Sequence, residues 1–312
     1  MVTATIVSGR WRYSKRVKTL AIVGIGYWGK NLIRVFSKIA EIKVCVHTGN
    51  SKNKQWLKRN FPSTSITTDY ESALNDPEID AIIIATPIRT HYKLTRQALL
   101  SEKHVFVEKP LATTVDQAKE LKSISEENCL SLFVGYIFCH HPTLQPVYNR
   151  AENQSIKWAR FSWNKLGEFG RDIFLDLVGH PVAIALQLFS AYPDRIHLVD
   201  TYGVENDIDI VSIRMYFPGG CIFDIMINRL SPRSQKSLQI LLEDNLFFWT
   251  EEGLYKFYDT EFELVSETNE EPLLAEAKQF ISEIDQDSVQ QSSSELGYNV
   301  NQIIQQLREN NN

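Results

Sequence analysis

The sequence lacks several features that would assign it to a specialised class of protein. It has four cysteines among 312 residues, too far apart for a disulfide framework or a paired-cysteine metal site. Its net charge of −5 lacks the basic excess typical of nucleic-acid-binding proteins. No apolar run approaches the roughly 20 residues of a membrane span, and the basic N-terminal segment has no signal-peptide core. We therefore expect a cytoplasmic protein that binds neither nucleic acid nor membrane.

A glycine-rich turn between an apolar strand and a helix is the most informative motif. Residues 20–31 read LAIVGIGYWGKN. The first glycine permits a tight turn, the second lets the backbone approach a pyrophosphate, and the third lets the helix pack on the strand. The N–H groups and the positive dipole end of the helix would then face the phosphates. The motif predicts a dinucleotide site formed by Gly24, Ile25, Gly26, Tyr27, Trp28 and Gly29, with a purely structural turn as the alternative.

The remaining pattern predicts two domains of different architecture. Strand-like and helix-like runs alternate from Val17 to about Phe138, which indicates a doubly wound parallel sheet with its ligand at the carboxyl ends of the strands. After Pro142, long alternating runs indicate a mostly antiparallel open sheet, whose second face needs helices or another subunit to cover it. We therefore predict an α/β protein with a basic flexible tail at 1–16, a nucleotide-binding domain at 17–138, and an α/β domain for substrate binding and oligomerisation at 139–312.

Two further segments place titratable side chains where chemistry could occur. Glu108 and Lys109 directly follow a predicted strand at the ligand-binding edge of the sheet, and Pro110 allows a cis peptide bond that would fix the direction of the lysine. A surface turn is the alternative. Asp176 and His180 lie four residues apart in an apolar helical run, so they share a helix face. The imidazole could exchange a proton near neutral pH while the carboxylate orients it and favours its charged form, or the two could form a structural pair.

Taken in order, these segments resemble the Gfo/Idh/MocA family of NAD(P)-dependent oxidoreductases. The resemblance is carried by GIGYWGKNLIRVF, IIIATPIRTHYKL, KHVFVEKPLA, VGYIFCHHP and DLVGHPVAIALQLF. The combination of EKP at a strand end with a downstream D-x-x-x-H helix is more specific than the glycine motif. The GYWGKN, HHP and DL-x-x-H segments are similar to members that oxidise nucleotide-linked sugars, such as the UDP-N-acetylglucosaminuronate 3-dehydrogenases.

The resemblance implies a Rossmann domain and a dehydrogenase or reductase that acts on a secondary alcohol or ketone of a sugar or nucleotide-linked sugar. Lys109 would hydrogen-bond the reacting oxygen, His180 would be the acid/base, and Asp176 would orient the site. Lys109 and His180 would also contact the substrate, together with Tyr136 unless that side chain is simply packed. The other residues implied to contact NAD or NADP are His47, Thr48, Ala85, Thr86, Pro87, His91, Glu108 and Lys109. A homodimer or homotetramer through the C-terminal sheet is also implied.

Departures from the family pattern leave alternatives open. Pro181 and Ala183 stand where many relatives carry aspartates, and the second strand ends without the acidic residue that usually binds the NAD ribose. Thr48, Ser51 and Lys52 could instead receive the 2′-phosphate of NADP. The alternatives to a sugar dehydrogenase are a reductase of a non-sugar substrate, biliverdin-reductase-like or a secondary-metabolite ketoreductase, and a cofactor-binding sensor without turnover.

A pair of histidines and an aromatic strand face are predicted to be structural. His140 and His141 lack further ligands at zinc-site spacing, so a turn explains them and no metal is expected. The strand face that includes Trp163 favours the core or a subunit interface.

Overall fold

The computed structural model describes residues 3–7, 10–14, 17–47, 49–152, 154–204, 207–243, 245–285 and 292–310. These residues form a two-stranded hairpin, a six-stranded sheet and an eight-stranded sheet. Within these ranges, no helix combines the length and the apolar character that crossing a membrane requires.

The N-terminal segment differs from the flexible tail that we predicted for residues 1–16. Strand β1 (Thr3–Val7) pairs antiparallel with β2 (Arg10–Ser14). The two runs, TATIV and RWRYS, are rich in β-branched and aromatic residues, and two residues separate them, which is the length of a tight hairpin connection. Our prediction was based on the basic charge and overlooked this strand propensity.

The first large sheet is parallel and doubly wound, as predicted. Its strands are β3 (Thr19–Val23), β4 (Glu41–Val46), β5 (Ser65–Thr67), β6 (Ala81–Ile84), β7 (His104–Glu108) and β8 (Leu132–Gly135), in the order β5-β4-β3-β6-β7-β8. The helices between them are α1 (Tyr27–Phe36), α2 (Ser51–Asn60), α3 (Tyr70–Leu74), α4 (His91–Leu100) and α5 (Val115–Glu127). The strand order reverses between β3 and β6, so the loops after these two strands flank the ligand crevice of such a sheet.

The second large sheet is antiparallel except for the parallel pair β9 and β12. Its strands are β9 (Ile156–Leu166), β10 (Arg195–Tyr202), β11 (Ile210–Phe217), β12 (Cys221–Asn228), β13 (Leu230–Leu242), β14 (Asn245–Thr250), β15 (Gly253–Tyr258) and β16 (Glu261–Ser266), in the order β10-β11-β12-β9-β13-β14-β15-β16. Helix α6 (Gln145–Ala151) precedes β9, and α7 (Gly179–Phe189) follows a π-helical turn at Phe174–Val178. The buried α7 shares its hydrophobic core with one face of this sheet.

The chain ends with two helices that return to the first sheet. Helix α8 (Pro272–Asp285) buries Leu273, Ala277 and Phe280 in the same cluster as α1 and β3. The Phe280 ring makes edge contacts with rings on α1, β7 and β8. Helix α9 (Ser292–Glu309) contacts α5, α7 and β8. The C-terminal helices can therefore bring side chains to the crevice of the first sheet.

Candidate active site

The three motif glycines have different roles. A Cβ on Gly24, where φ is +100°, would lie 2.4 Å from the Ala85 carbonyl oxygen. A Cβ on Gly29 would lie 2.0 Å from the Gly24 carbonyl oxygen, so both glycines are required for close packing. Gly26 is different, because a Cβ there would meet no atom within 4 Å. It therefore borders open space at the beginning of α1.

This open space fits the pyrophosphate of a dinucleotide. Gly26 is the N-cap of α1 and makes no side-chain capping bond, and the first turn of the helix has no acidic residue. The backbone N–H groups of that turn are therefore available to an anion, and the helix dipole favours one. Ile25 is buried, whereas Tyr27 and Trp28 remain exposed beside the loop. The glycine loop can thus hold the cofactor that the sequence predicts.

The end of β4 is neutral or basic. The Nδ1 atom of His47 accepts a hydrogen bond from the Gly49 N–H at 2.8 Å. Asn50 caps α2 by accepting a hydrogen bond from the Asn53 N–H. Ser51 and Lys52 are exposed in the first turn of α2, while Thr48 lies outside the described residues. The segment 46–52 contains no acidic residue, so NAD and NADP both remain compatible with this end of the crevice.

The predicted nicotinamide-side loop is held in place by a buried histidine. Ala85 donates its N–H to the Val23 carbonyl, which places Thr86 and Pro87 directly after β6. The ring nitrogens of His91 lie 2.8 Å from the carbonyl oxygens of Thr86 and Pro110. Burial lowers the pKa of His91 despite these two acceptors. Both ring nitrogens of His91 therefore face backbone carbonyls beside the crevice, and because a neutral imidazole has one N–H, it donates a hydrogen bond to only one of them.

Lys109 meets the helix that carries the other catalytic candidates. The Lys109–Pro110 peptide bond is cis, as the sequence allowed. The Lys109 Nζ donates to the Asp176 carbonyl oxygen at 2.5 Å and lies 3.4 Å from the Asp176 carboxylate. One ammonium group therefore connects the end of β7 to the π-helical turn before α7.

The predicted pairing of Asp176 with His180 is not formed. The Asp176 Oδ2 and His180 Nδ1 atoms are both buried and have no hydrogen-bond partner. Burial, followed by the positive charges of Lys109 and Lys236, holds the pKa of His180 well below its ordinary value. Our expectation that the carboxylate favours the charged imidazole was wrong, because Lys109 takes the carboxylate and adds a positive charge nearby. His180 is therefore neutral near pH 7.

Pro181 accounts for the shape of this segment. Proline has no N–H, so in a regular helix it would leave the Leu177 carbonyl without a donor and its ring would press on that turn. The chain widens into a π-helical turn just before it, and the Asp176 carbonyl accepts its hydrogen bond from Lys109. The residue that departs from the family pattern thus contributes to the placement of the lysine.

A cavity of about 250 Å³ brings the predicted residues together with others that the sequence did not reveal. Lys109, His180, Glu108 and Trp28 line it, and so do Trp163, Lys236, Glu251 and Glu276. The Lys236 Nζ lies 4.9 Å from the centre of a Trp163 ring and 2.7 Å from the Glu251 Oε1. Trp163 belongs to the hydrophobic core, as we predicted, and its ring also forms part of the cavity wall.

Tyr136 is buried next to Lys109, outside the main cavity. It is 1% exposed, its hydroxyl has no hydrogen-bond partner, and burial raises its pKa. It shares a separate cavity, large enough for about one water molecule, with Lys109 and Asn301. The ring packs against α7, 6.4 Å from the His180 ring. The packed alternative therefore describes its position better than direct contact with substrate.

The neighbouring histidines are held by structural contacts. The Nδ1 of His141 lies 2.9 Å from the Thr143 hydroxyl, and the His140 ring packs 5.0 Å from the Phe133 ring. Burial lowers the pKa of both to about 4. In the part of the chain that the structure describes, no group of three or more His, Cys, Asp and Glu residues is arranged to hold a metal ion.

Comparison with known proteins finds a family match for the first sheet. Residues 18–136 match the family model described as "Oxidoreductase family, NAD-binding Rossmann fold" of Gfo/Idh/MocA. The uncharacterized oxidoreductase YrbE of Bacillus subtilis is 30% identical over 145 residues, which cover 46% of this chain and 42% of YrbE. The UDP-N-acetylglucosamine 3-dehydrogenase of Acidithiobacillus ferrooxidans is 23% identical over 72% of this chain and 71% of its own length.

Solved structures extend the likeness of the fold to nearly the whole chain. The A. ferrooxidans UDP-N-acetylglucosamine 3-dehydrogenase GnnA superposes with a TM-score of 0.86 at 19% identity, covering 93% of this chain and 96% of GnnA. Levoglucosan dehydrogenase in complex with NADH and levoglucosan superposes with a TM-score of 0.83 at 17% identity, covering 94% and 97%. The first sheet therefore matches the NAD-binding Rossmann fold of the Gfo/Idh/MocA oxidoreductases, and the chain as a whole is similar in fold to solved dehydrogenases.

Proposed function

We propose that the protein is an NAD(P)-dependent dehydrogenase or reductase acting on a secondary alcohol or ketone of a sugar or nucleotide-linked sugar. The observation that carries this proposal is that Lys109, from the first sheet, and His180, from α7, line one cavity beside the glycine loop. An ammonium group and a neutral imidazole are suited to a reacting oxygen and its proton. The sugar class is supported by relatives named for UDP-N-acetylglucosamine and for inositol.

The chain's own residues divide the chemistry between them. When bound, the nicotinamide coenzyme supplies hydride transfer at the substrate carbon. Lys109 donates a hydrogen bond to the substrate oxygen and stabilises the negative charge that develops on it. His180 is neutral and can accept the hydroxyl proton in the direction of oxidation. Asp176 orients the lysine through its carbonyl and carboxylate oxygens.

The test compares coenzyme binding with turnover in the wild type, Lys109→Met and His180→Asn. Binding of NADH and NADPH is measured by fluorescence titration. Turnover is then assayed with UDP-N-acetylglucosamine, its uronate, inositol and biliverdin. We expect both variants to bind coenzyme and to lose at least about 100-fold in kcat. Unchanged turnover in both variants would refute these roles, turnover of biliverdin alone would favour the non-sugar reductase, and coenzyme binding without any turnover would favour a sensor.

We also propose that a second copy of the chain covers the outer face of the second sheet. The inner face packs on α7, whereas Val199 and Met226 are 52% and 39% exposed on the opposite side. They border a depression whose floor holds Arg160, Arg214 and Asp224. Light scattering after size-exclusion chromatography tests this: the wild type should be oligomeric, and Met226→Glu should shift it towards the monomer. A monomeric wild type at micromolar concentration would contradict the proposal.

A further inference from the structure

Glu276 on α8 is a buried carboxyl group without a partner. It is 1% exposed, and its Oε1 atom makes no hydrogen bond within the described structure. The neighbouring positions on the same helix face, Leu273, Ala277 and Phe280, belong to the hydrophobic core. A carboxyl group at such a position is costly to bury unless something hydrogen-bonds it. A ligand that hydrogen-bonds this carboxyl group would offset that cost.

The surroundings of Glu276 lie on the coenzyme side of the cavity. It lines the cavity together with Trp28 from the first turn of α1 and Glu108 from the end of β7. Trp163, Lys236 and Glu251 come from the second sheet and form another part of the wall. Burial and the nearby Glu108 both raise the pKa of Glu276, which favours the protonated carboxyl. A protonated carboxyl has one acceptor and one donor side by side.

We propose that Glu276 forms paired hydrogen bonds with the carboxamide of the nicotinamide ring and thereby positions the ring beside Lys109 and His180. The carboxamide has a donor N–H2 group next to an acceptor oxygen, which is the complement of a protonated carboxyl. Glu276 is a positioning residue in this arrangement, because it orients the coenzyme and does not touch the reacting oxygen. The inference rests on the proposed nicotinamide-dependent function.

The test uses a coenzyme analogue that lacks the amide N–H2. Dissociation constants are measured by fluorescence for the wild type, Glu276→Gln and Glu276→Leu, with the reduced coenzyme that the wild type binds more tightly and with its 3-acetylpyridine analogue. Leucine should weaken coenzyme binding about tenfold and analogue binding by clearly less, because the analogue keeps the acceptor oxygen and lacks only the amide N–H2 donor. Glutamine has both a donor and an acceptor, so it should bind coenzyme within about threefold of the wild type.

Glu283→Leu is the matched control. Glu283 is also a buried carboxyl on α8, but its Oε2 lies 3.2 Å from the Ser131 hydroxyl and it lines a different cavity. This variant should bind coenzyme as the wild type does. Thermal melting adds a second readout: Glu276→Leu should melt no lower than the wild type, because it removes an unpaired buried carboxyl.

The outcomes separate this inference from the function on which it rests. A wild type that binds neither NADH nor NADPH refutes both. If the wild type binds coenzyme, two results overturn only the role of Glu276. In one, Glu276→Leu binds coenzyme as well as the wild type does; in the other, it loses affinity for coenzyme and analogue equally. A change confined to the KM of the sugar substrate also overturns it, in favour of a sugar hydroxyl as the partner. If Glu276→Leu does not fold, Glu276→Gln is compared with the wild type instead. Losses of affinity for coenzyme and for analogue that are equal in Glu276→Gln also overturn the role of Glu276.

Discussion

Gly26 should be dispensable for folding and required for coenzyme binding. Its φ of −78° is accessible to any residue, and an added Cβ meets no atom within 4 Å. Gly26→Ala should therefore change the free energy of unfolding by less than about 1 kcal/mol, because alanine restricts the unfolded chain but is a poorer N-cap than glycine. In the bound state the same methyl group occupies the space in front of α1 where the pyrophosphate must approach. We expect at least about a tenfold loss of NADH or NADPH affinity, equivalent to about 1.4 kcal/mol.

Gly29→Ala is the matched control for this prediction. Its Cβ would lie 2.0 Å from the Gly24 carbonyl oxygen, so the backbone of the loop must move and the free energy of unfolding should fall by about 1–3 kcal/mol or more. Urea denaturation measures stability, and fluorescence titration measures affinity. Wild-type coenzyme affinity in Gly26→Ala, or equal destabilisation of both variants, would refute the assignment of the open space to the pyrophosphate.

Three further predictions test parts of the same site. Pro181→Ala restores an N–H to the helix and should loosen the contact between Lys109 and Asp176. We expect kcat to fall roughly tenfold with little change in coenzyme affinity. Unchanged kcat would contradict the role of Pro181 in placing Lys109. If the 2′-phosphate of NADPH binds at α2, Lys52→Ala should weaken NADPH binding roughly tenfold and leave NADH binding unchanged. If the substitution changes the fluorescence titrations of NADPH and NADH equally, that site is excluded. Lys236→Met removes a positive charge that lowers the pKa of His180, so the pKa of His180 should rise. The acidic limb of the pH profile of kcat for oxidation should then move to higher pH. A shift of this limb to lower pH would contradict the assignment of neutral His180 as the base.

The fold was predictable where burial leaves a simple pattern in the sequence. The strands of the first sheet are covered on both sides and read as continuous apolar runs, as in β6 with its sequence AIII. The glycine motif then identified β3 as the strand that is followed by the first helix, α1. The N-terminal hairpin was missed because charge was given more weight than the alternation of β-branched and aromatic residues. Helix periodicity also did not reveal that α8 returns to the first sheet, because an apolar face does not say which partner covers it.

The site was predictable where one element determines the position of a side chain. Lys109 follows the carboxyl end of a parallel strand, and that rule placed it at the crevice. The pairing of Asp176 with His180 failed because helical spacing shows which residues share a face, not which side chain from another element competes for them. Lys236 and Glu276 come from distant parts of the chain, and local motifs do not reveal them. The available signal for Glu276 was a carboxylate at an apolar position of an amphipathic helix.

The unpaired polar atoms show how this site is prepared for its ligands. Among the described residues, Tyr136 Oη, Asp176 Oδ2, His180 Nδ1 and Glu276 Oε1 are buried without hydrogen bonds. Each belongs to a residue that contacts Lys109 or shares a cavity with it. Groups of this kind lower the stability of the empty protein, and a ligand that supplies the missing hydrogen bonds recovers it. Part of the unmet hydrogen-bonding capacity of the described residues therefore lies around Lys109, which is why substitutions there should separate stability from binding.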